Sequence, residues 1–202
     1  MSDLIQHLKD NGAGQPATVK CPVTNEIINR DDSHRFGVGF SHYKLDEDGQ
    51  LVRSYNQVFN TLHCANRDAA RSAIRQRIQK HSDIPFGEYH PEIHNPDESH
   101  IDHETARLNV EYNTDGIMPV GQLPKKCAIT GQPLTTDWYI PHVDDSTRGT
   151  HYQAILQKQF PRATVQELTL AAGTLENAQK LAHQILEEII EPDYQKSLKE
   201  VK

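Results

Sequence analysis

Apolar and polar positions change period several times along this chain, and each change marks an element. From Arg35 to His42 they alternate: Phe36, Val38 and Phe40 fall on one side, Gly37, Gly39 and Ser41 on the other. A period of two predicts a strand. Its second face is almost bare, as where another element lies close. Lys44-Leu45-Asp46-Glu47-Asp48-Gly49-Gln50-Leu51 then reads as a hairpin, because Asp-Gly supplies the φ > 0 positions of a tight turn. The return strand is expected from Leu51 to Phe59. Ala69, Ala70, Ala73, Ile74 and Ile78 next recur at helical spacing, predicting a helix from near Asn66 to His81.

A similar series closes the chain. Trp138, Ile140 and Val143 predict a strand, and Asp144-Asp145-Ser146-Thr147-Arg148-Gly149 an acidic turn like that at Asp46–Gly49. Tyr152, Ile155, Leu156 and Phe160 mark a helix stopped by Pro161. Thr164-Val165-Gln166-Glu167 is a capping box for a short helix ended by Gly173. The broadest apolar stripe follows: Thr174 caps it, and Leu175, Ala178, Leu181, Ala182, Ile185, Leu186, Ile189 and Ile190 line it. Glu191-Pro192 is expected to end this helix and leave a polar tail. The face of helix 174–191 suits either the main strut of the core or the seam of a homodimer. At the other end, Leu4, Ile5 and Leu8 predict a short helix closed by Asn11–Pro16.

Both series open on the same short stretch. Lys20-Cys21-Pro22-Val23-Thr24-Asn25-Glu26 returns as Lys126-Cys127-Ala128-Ile129-Thr130-Gly131-Gln132. The expectation is an α+β fold of two related hairpin–helix modules, antiparallel strands packed by amphipathic helices, around an irregular acidic, histidine-rich centre. Its divisions are an N-terminal segment 1–19, module one 20–81, a connector 82–124 and module two 125–202. Pro85, Pro91, Pro96, Pro119 and Pro124 exclude long helices from the connector. Ser99 with Asp102 predicts a short helix to Leu108, and Asn109–Tyr112 a strand. Modules of roughly 60–80 residues lie near the lower limit for a self-sufficient core, so the two are expected to pack together.

Charge sharpens this division. The 202 residues carry a net −7. Residues 20–81 hold ten basic and seven acidic side chains, whereas residues 82–124 hold Arg107 against nine carboxylates. The mean hydropathy of −0.71 is polar for a globular protein. No apolar run approaches the roughly 20 residues that span a bilayer, and the first residues lack a basic, apolar leader. The chain therefore reads as soluble and cytoplasmic. Cys21, Cys64 and Cys127 agree: three cysteines without a CxxC suit reduced thiols rather than a disulfide frame.

Three candidate sites emerge. His90, His94, His100 and His103 lie among Glu88, Glu92, Asp97, Glu98, Asp102 and Glu104. Imidazoles with carboxylates supply what zinc or another divalent metal needs, although His-Glu-x-x-His is absent. Without a metal, the same stretch is a solvated acidic loop. The second candidate is a basic stripe on the predicted helix, Arg67, Arg71 and Arg75, extended by Arg77 and Lys80. Such a row grips nucleic-acid phosphates, or receives the acidic centre folding back upon it, or is an exposed charged face. The third is a zinc set of Cys21, Cys64, His42 and His63 or His34. Module two offers Cys127, His142 and His151 but no second thiol, since Leu170-Ala171-Ala172 falls where His63-Cys64 maps. The reading without metal makes each cysteine a small buried side chain at a turn. No Gly-x-Ser-x-Gly, Walker or Gly-x-Gly-x-x-Gly motif occurs.

The stretch Cys127-Ala128-Ile129-Thr130-Gly131-Gln132-Pro133-Leu134 resembles the first loop of U-box domains, Cys-x-Ile-[Thr/Ser] ahead of a hairpin and helix. That resemblance implies an adaptor for ubiquitin-conjugating enzymes. The second U-box loop, an Asp-Pro-x-Thr before a Pro-Leu pair, has no counterpart behind residue 160.

The leading expectation is a non-enzymatic intracellular binding or regulatory protein. Its acidic centre (Glu88, Glu92, Asp97, Glu98, Asp102, Glu104) faces a basic or nucleic-acid-binding protein partner, because opposite charge speeds encounter. The alternatives are a nucleic-acid-binding protein using Arg67, Arg71, Arg75, Arg77 and Lys80, and a metal-dependent hydrolase or nuclease using His90, His94, His100 and His103. No membrane partner is expected.

Overall fold

The computed structural model describes residues 17–45, 51–56, 63–80, 124–134 and 136–201. Strands β1 (Thr18–Lys20) and β2 (Ile27–Asn29) form a small antiparallel ribbon around the Cys21 turn. Strand β3 (Phe36–Leu45) pairs with β4 (Leu51–Asn56) as the predicted hairpin. Helix α1 (Arg67–Lys80) follows, with Asn66 Oδ1 accepting from the Ala69 N–H at 2.9 Å as its cap. Strands β5 (Asp137–Asp145) and β6 (Thr150–His151) lead to α2 (Tyr152–Gln159). The chain ends in one long helical run: α3 (Leu175–Gln184), a π-helical segment (Ile185–Ile190) and α4 (Glu191–Glu200). The fold is α+β.

The four-stranded sheet has the order β4-β3-β5-β6 and is antiparallel throughout. Its middle is a non-local pairing: β3 lies against β5 with Val38 opposite Val143 and Phe40 opposite Pro141. A proline inside such a strand requires that its missing N–H face away from the ladder. That is the case here. The Tyr139 N–H and C=O bond Ala172 on the side away from β3, so the backbone of Pro141, two residues on, faces that side too. On that side β6 reaches only Asp144 and Asp145.

Phe36, Val38, Phe40 and Val143 bury one face of the sheet with α1 and the last helix. Tyr43, Trp138, Ile140 and Ala171 form a smaller cluster, and Ser41 is wholly buried. The bare face of β3 is therefore covered, and by its neighbour strand. The Ser41 hydroxyl is 2.9 Å from His142 Nε2, and a Cβ on Gly37 would stand 3.5 Å from Ser146 Oγ.

The last helix departs from expectation at Pro192, where the helix continues instead of stopping. A proline inside a regular helix crowds the carbonyl four residues back and removes a donor. Here the π-helical turn ends just before it, its last bond running from the Glu191 N–H to Leu186 O, and this widened turn accommodates Pro192 at a first-turn position of α4. The tail thus forms a helix instead of fraying. Ala178, Leu181, Ala182, Ile185, Leu186 and Ile190 are each at most 2% exposed, so the apolar face lies in the chain's own core rather than at a surface seam. The capping box at Thr164 forms reciprocally: the Thr164 N–H donates to Glu167 Oε2 at 2.7 Å and the Glu167 N–H to Thr164 Oγ1 at 3.3 Å. It closes a turn instead of opening a helix. The predicted helix at 1–10, the hairpin tip at 46–50, the end of the return strand at 57–59 and the connector through residue 123 lie outside the described residues.

Candidate functional site

Two arrangements of reactive or charged side chains stand out. The first lies under the Cys21 turn. The Cys21 N–H donates to Glu26 O at 2.8 Å and the Asn25 N–H to Cys21 O at 3.0 Å, which curls the chain around the sulfur. Asn25 takes the left-handed conformation, φ 63°, that closes the loop. The Thr24 N–H points at Cys21 Sγ from 3.4 Å. Cys64 arrives from the other side, its N–H and C=O paired to the backbone of His34 at 3.0 and 2.9 Å. Both cysteines are 0% exposed in the same core cluster, and the two thiols are close enough to influence each other's ionisation.

Their electrostatics diverge. Burial pushes the Cys21 thiol up, but the hydroxyl and N–H of Thr24, with the N–H groups of Ala65 and Val23, outweigh it and bring it to about 7. Cys64 has no such nest. Burial first, then the neighbouring Cys21 charge and hydrogen bond, push it up to about 12. One sulfur is poised to ionise beside one that holds its proton.

The histidines expected to complete a zinc set are engaged elsewhere. His42 Nε2 meets Asp137 Oδ1 at 2.7 Å, and its ring stacks on Tyr139 at 4.2 Å. His63 Nδ1 lies 2.6 Å from Ser33 Oγ, whose proton goes to Arg30 O. The ring therefore donates from Nδ1, and burial with Arg30 and Arg35 nearby lowers its basicity. His34 joins Cys64 through backbone alone. Of the histidines grouped with Cys127, His142 on β5 is held by Ser41 and His151 on β6 stands 3.5 Å from Asp144. Among the described residues no three His, Cys, Asp or Glu side chains converge to hold a metal. His90, His94, His100 and His103, with Glu88, Glu92, Asp97, Glu98, Asp102 and Glu104, lie outside the described residues.

The second arrangement is the arginine stripe, which faces the end of the last helix. Arg67 bonds Asp145 Oδ2 at 2.8 Å and Glu191 Oε2 at 3.1 Å, and its guanidinium lies 3.5 Å over the Tyr194 ring and 4.9 Å from the Phe36 ring centre. Arg71 pairs with Glu187 and Glu191, and Arg75 with Glu187 at 2.6 Å. Burial raises Glu187, yet hydrogen bonds from Arg75 and Arg71 prevail and hold it below the usual carboxylate value. Arg77 is half-buried, and the side chain of Lys80 is outside the described set. Asp145, Glu187, Glu191 and Tyr194 were not singled out by sequence. One signal did exist: Glu187 and Glu191 repeat the four-residue spacing of Arg67, Arg71 and Arg75.

Comparison of the chain with protein-family models, with curated proteins and with solved structures finds no match. The U-box likeness of residues 127–134 stays a likeness of one loop. No described helix is long and apolar enough to cross a membrane.

Proposed function

We propose that this chain is a non-enzymatic cytoplasmic binding protein whose acidic centre engages a basic or nucleic-acid-binding protein. The observation that carries the reading is the occupation of the arginine stripe. Arg67, Arg71 and Arg75 are matched by Asp145, Glu187 and Glu191. A carboxylate-rich connector folding back would have to displace partners already in place, one of them Asp145 at 1% side-chain exposure. Phosphates would meet the same competition, which lowers the case for nucleic acid. The net −8 of residues 82–124 then remains available to a cationic partner.

On this reading the two cysteine turns belong to related modules that carry the connector between them. The backbone bonds agree with that assignment. Cys127 N–H to Gln132 O repeats Cys21 to Glu26, the Tyr139–Ala172 bridge repeats His34–Cys64, and Thr174 caps α3 as Asn66 caps α1.

The test is binding of the full chain to a lysine-rich polypeptide across a salt series. Neutralising Glu88, Glu92, Glu98 and Glu104 to Gln and Asp97 and Asp102 to Asn is expected to weaken binding and flatten its salt dependence. Unchanged binding in that variant sinks the reading. Duplex DNA binding lost in an Arg67, Arg71, Arg75 to Gln variant that still folds would favour the nucleic-acid alternative.

A further inference from the structure

We propose that Cys21 and Cys64 form an oxidisable dithiol, in which Cys21 attacks a peroxide and Cys64 resolves the product into an intrachain disulfide. The site is independent of the acidic centre, so its fate does not depend on the binding reading.

Three features of the fold point to it. The two thiols are neighbours in one buried cluster, although the residues are far apart in sequence and come from different elements. The Cys21 sulfur is cradled by backbone N–H groups of Val23, Thr24 and Ala65, which favour its anionic form. The turn over Cys21 lies at the surface, too: every residue from Pro22 to Ile27 is exposed, so an oxidant reaches the sulfur when this turn opens, with the four-stranded sheet left intact. A small oxidant suits such a site. With too few ligands for a metal among the described residues, the pair still has the two sulfurs a disulfide needs.

The chemistry balances with hydrogen peroxide as oxidant. The Cys21 thiolate attacks one peroxide oxygen; the S–O bond forms, the O–O bond breaks, and the departing hydroxide takes a proton from solvent to become water. The Cys64 sulfur then displaces the hydroxyl of the Cys21 sulfenic acid. The S–S bond forms, the S–O bond breaks, and the hydroxide leaves as water with the proton of Cys64. Two electrons pass from the dithiol to the peroxide. Cys127 is the built-in comparison. N–H groups of Ile129, Thr130 and Gly173 surround it in the same way, but Ala172 stands at the bridge position that Cys64 occupies. Its oxidation has no neighbouring thiol to complete it.

The experiment treats the folded full chain with limiting hydrogen peroxide, quenches by alkylation and maps the peptides. Wild type is expected to yield a Cys21–Cys64 link, retained in Cys127→Ser. Cys64→Ser should instead accumulate sulfenic acid at Cys21, trapped by a 1,3-dione. The rate should climb with ionisation of Cys21, half-maximal near pH 7. Failure of the link to form, its formation only after circular dichroism reports unfolding, or sulfenic acid collecting first on Cys64 overturns the proposal. If a serine variant does not fold, the wild-type map and its pH profile decide the matter alone.

Discussion

Under the Cys21 turn lies a second sulfur; under the Cys127 turn the corresponding bridge is made by Ala172. The two turns otherwise share their backbone plan. Each has an N–H donated from its cysteine across the loop, at 2.8 Å in both, and a left-handed residue at the same place, Asn25 in one and Gly131 in the other. Each is followed by a strand of the central sheet and a side-chain-capped helix. The helices differ in what they present. Beside its buried alanines and isoleucines α1 turns arginines towards Glu187 of the π-helical segment and Glu191 of α4, while α3 gives the core Ala178, Leu181 and Ala182. Similar turns therefore hold two neighbouring thiols in the first region and a single thiol in the second, while the charge network and the core are shared by both.

The two regions are joined by β3 on β5 and by Arg67, and removing Arg67 gives the largest expected effect. Arg67→Ala strands Asp145, 1% exposed, and deprives Glu191; loss of about 3–5 kcal/mol is expected from urea denaturation. A cost under about 1 kcal/mol would mean the regions hold together through the sheet and their shared apolar core.

Next come the left-handed residues. Gly131→Ala at φ 69° should cost about 1–2 kcal/mol, although a Cβ there meets nothing within 4 Å, because the strain is in the backbone. Asn25→Gly should be neutral or mildly stabilising by the same argument. Equal effects of Asn25→Ala and Gly131→Ala would equate the two turns; a much larger loss at Asn25 would show that the thiol pair needs its turn more.

A smaller change separates the sulfurs by pH. Thr24→Val removes a donor to Cys21 and should cost about 0.5–1.5 kcal/mol while raising the thiol. The signs follow from linkage. Cys21 sits below its ordinary value of 9.0, so its contribution is present above that value and is lost as pH falls through about 7. Cys64 sits above 9.0, so its contribution is full below that value and is lost as pH rises towards about 12. Urea midpoints should therefore flatten on the neutral side in Cys21→Ala and on the alkaline side in Cys64→Ala.

The smallest effect is expected from Glu187→Gln, whose side chain is 34% exposed. A loss of about 0.2–1 kcal/mol at neutral pH is anticipated after solvent screening. Glu187 is held below the ordinary carboxylate value, so the difference from wild type should vanish as pH falls through its lowered value.

Local signals were legible in the order of residues. Alternation marked β3, helical spacing marked α1 and α3, and the Thr164 box and Thr174 cap formed their bonds as spelled. The absence of a thiol at Ala172 was equally legible, because matching Lys20–Glu26 to Lys126–Gln132 aligns it with the region of Cys64. What failed was inference across distance. Glu191-Pro192 read as a stop, since proline is a local rule, and only packing of Ile185, Leu186 and Ile190 into the core shows how a widened turn carries the helix past it. The arginine stripe read as a surface for phosphates because its partners lie more than a hundred residues away at Glu187 and Glu191.

The amino-acid order alone marked β3, α1 and α3, the caps and the two cysteine turns, since each depends on neighbours within a few residues. Tertiary structure alone decided which strands lie side by side, which carboxylates meet the arginines and which two of the three thiols are neighbours. Those outcomes come from burying one apolar face against another, and the chain's local patterns carry no record of which faces will meet.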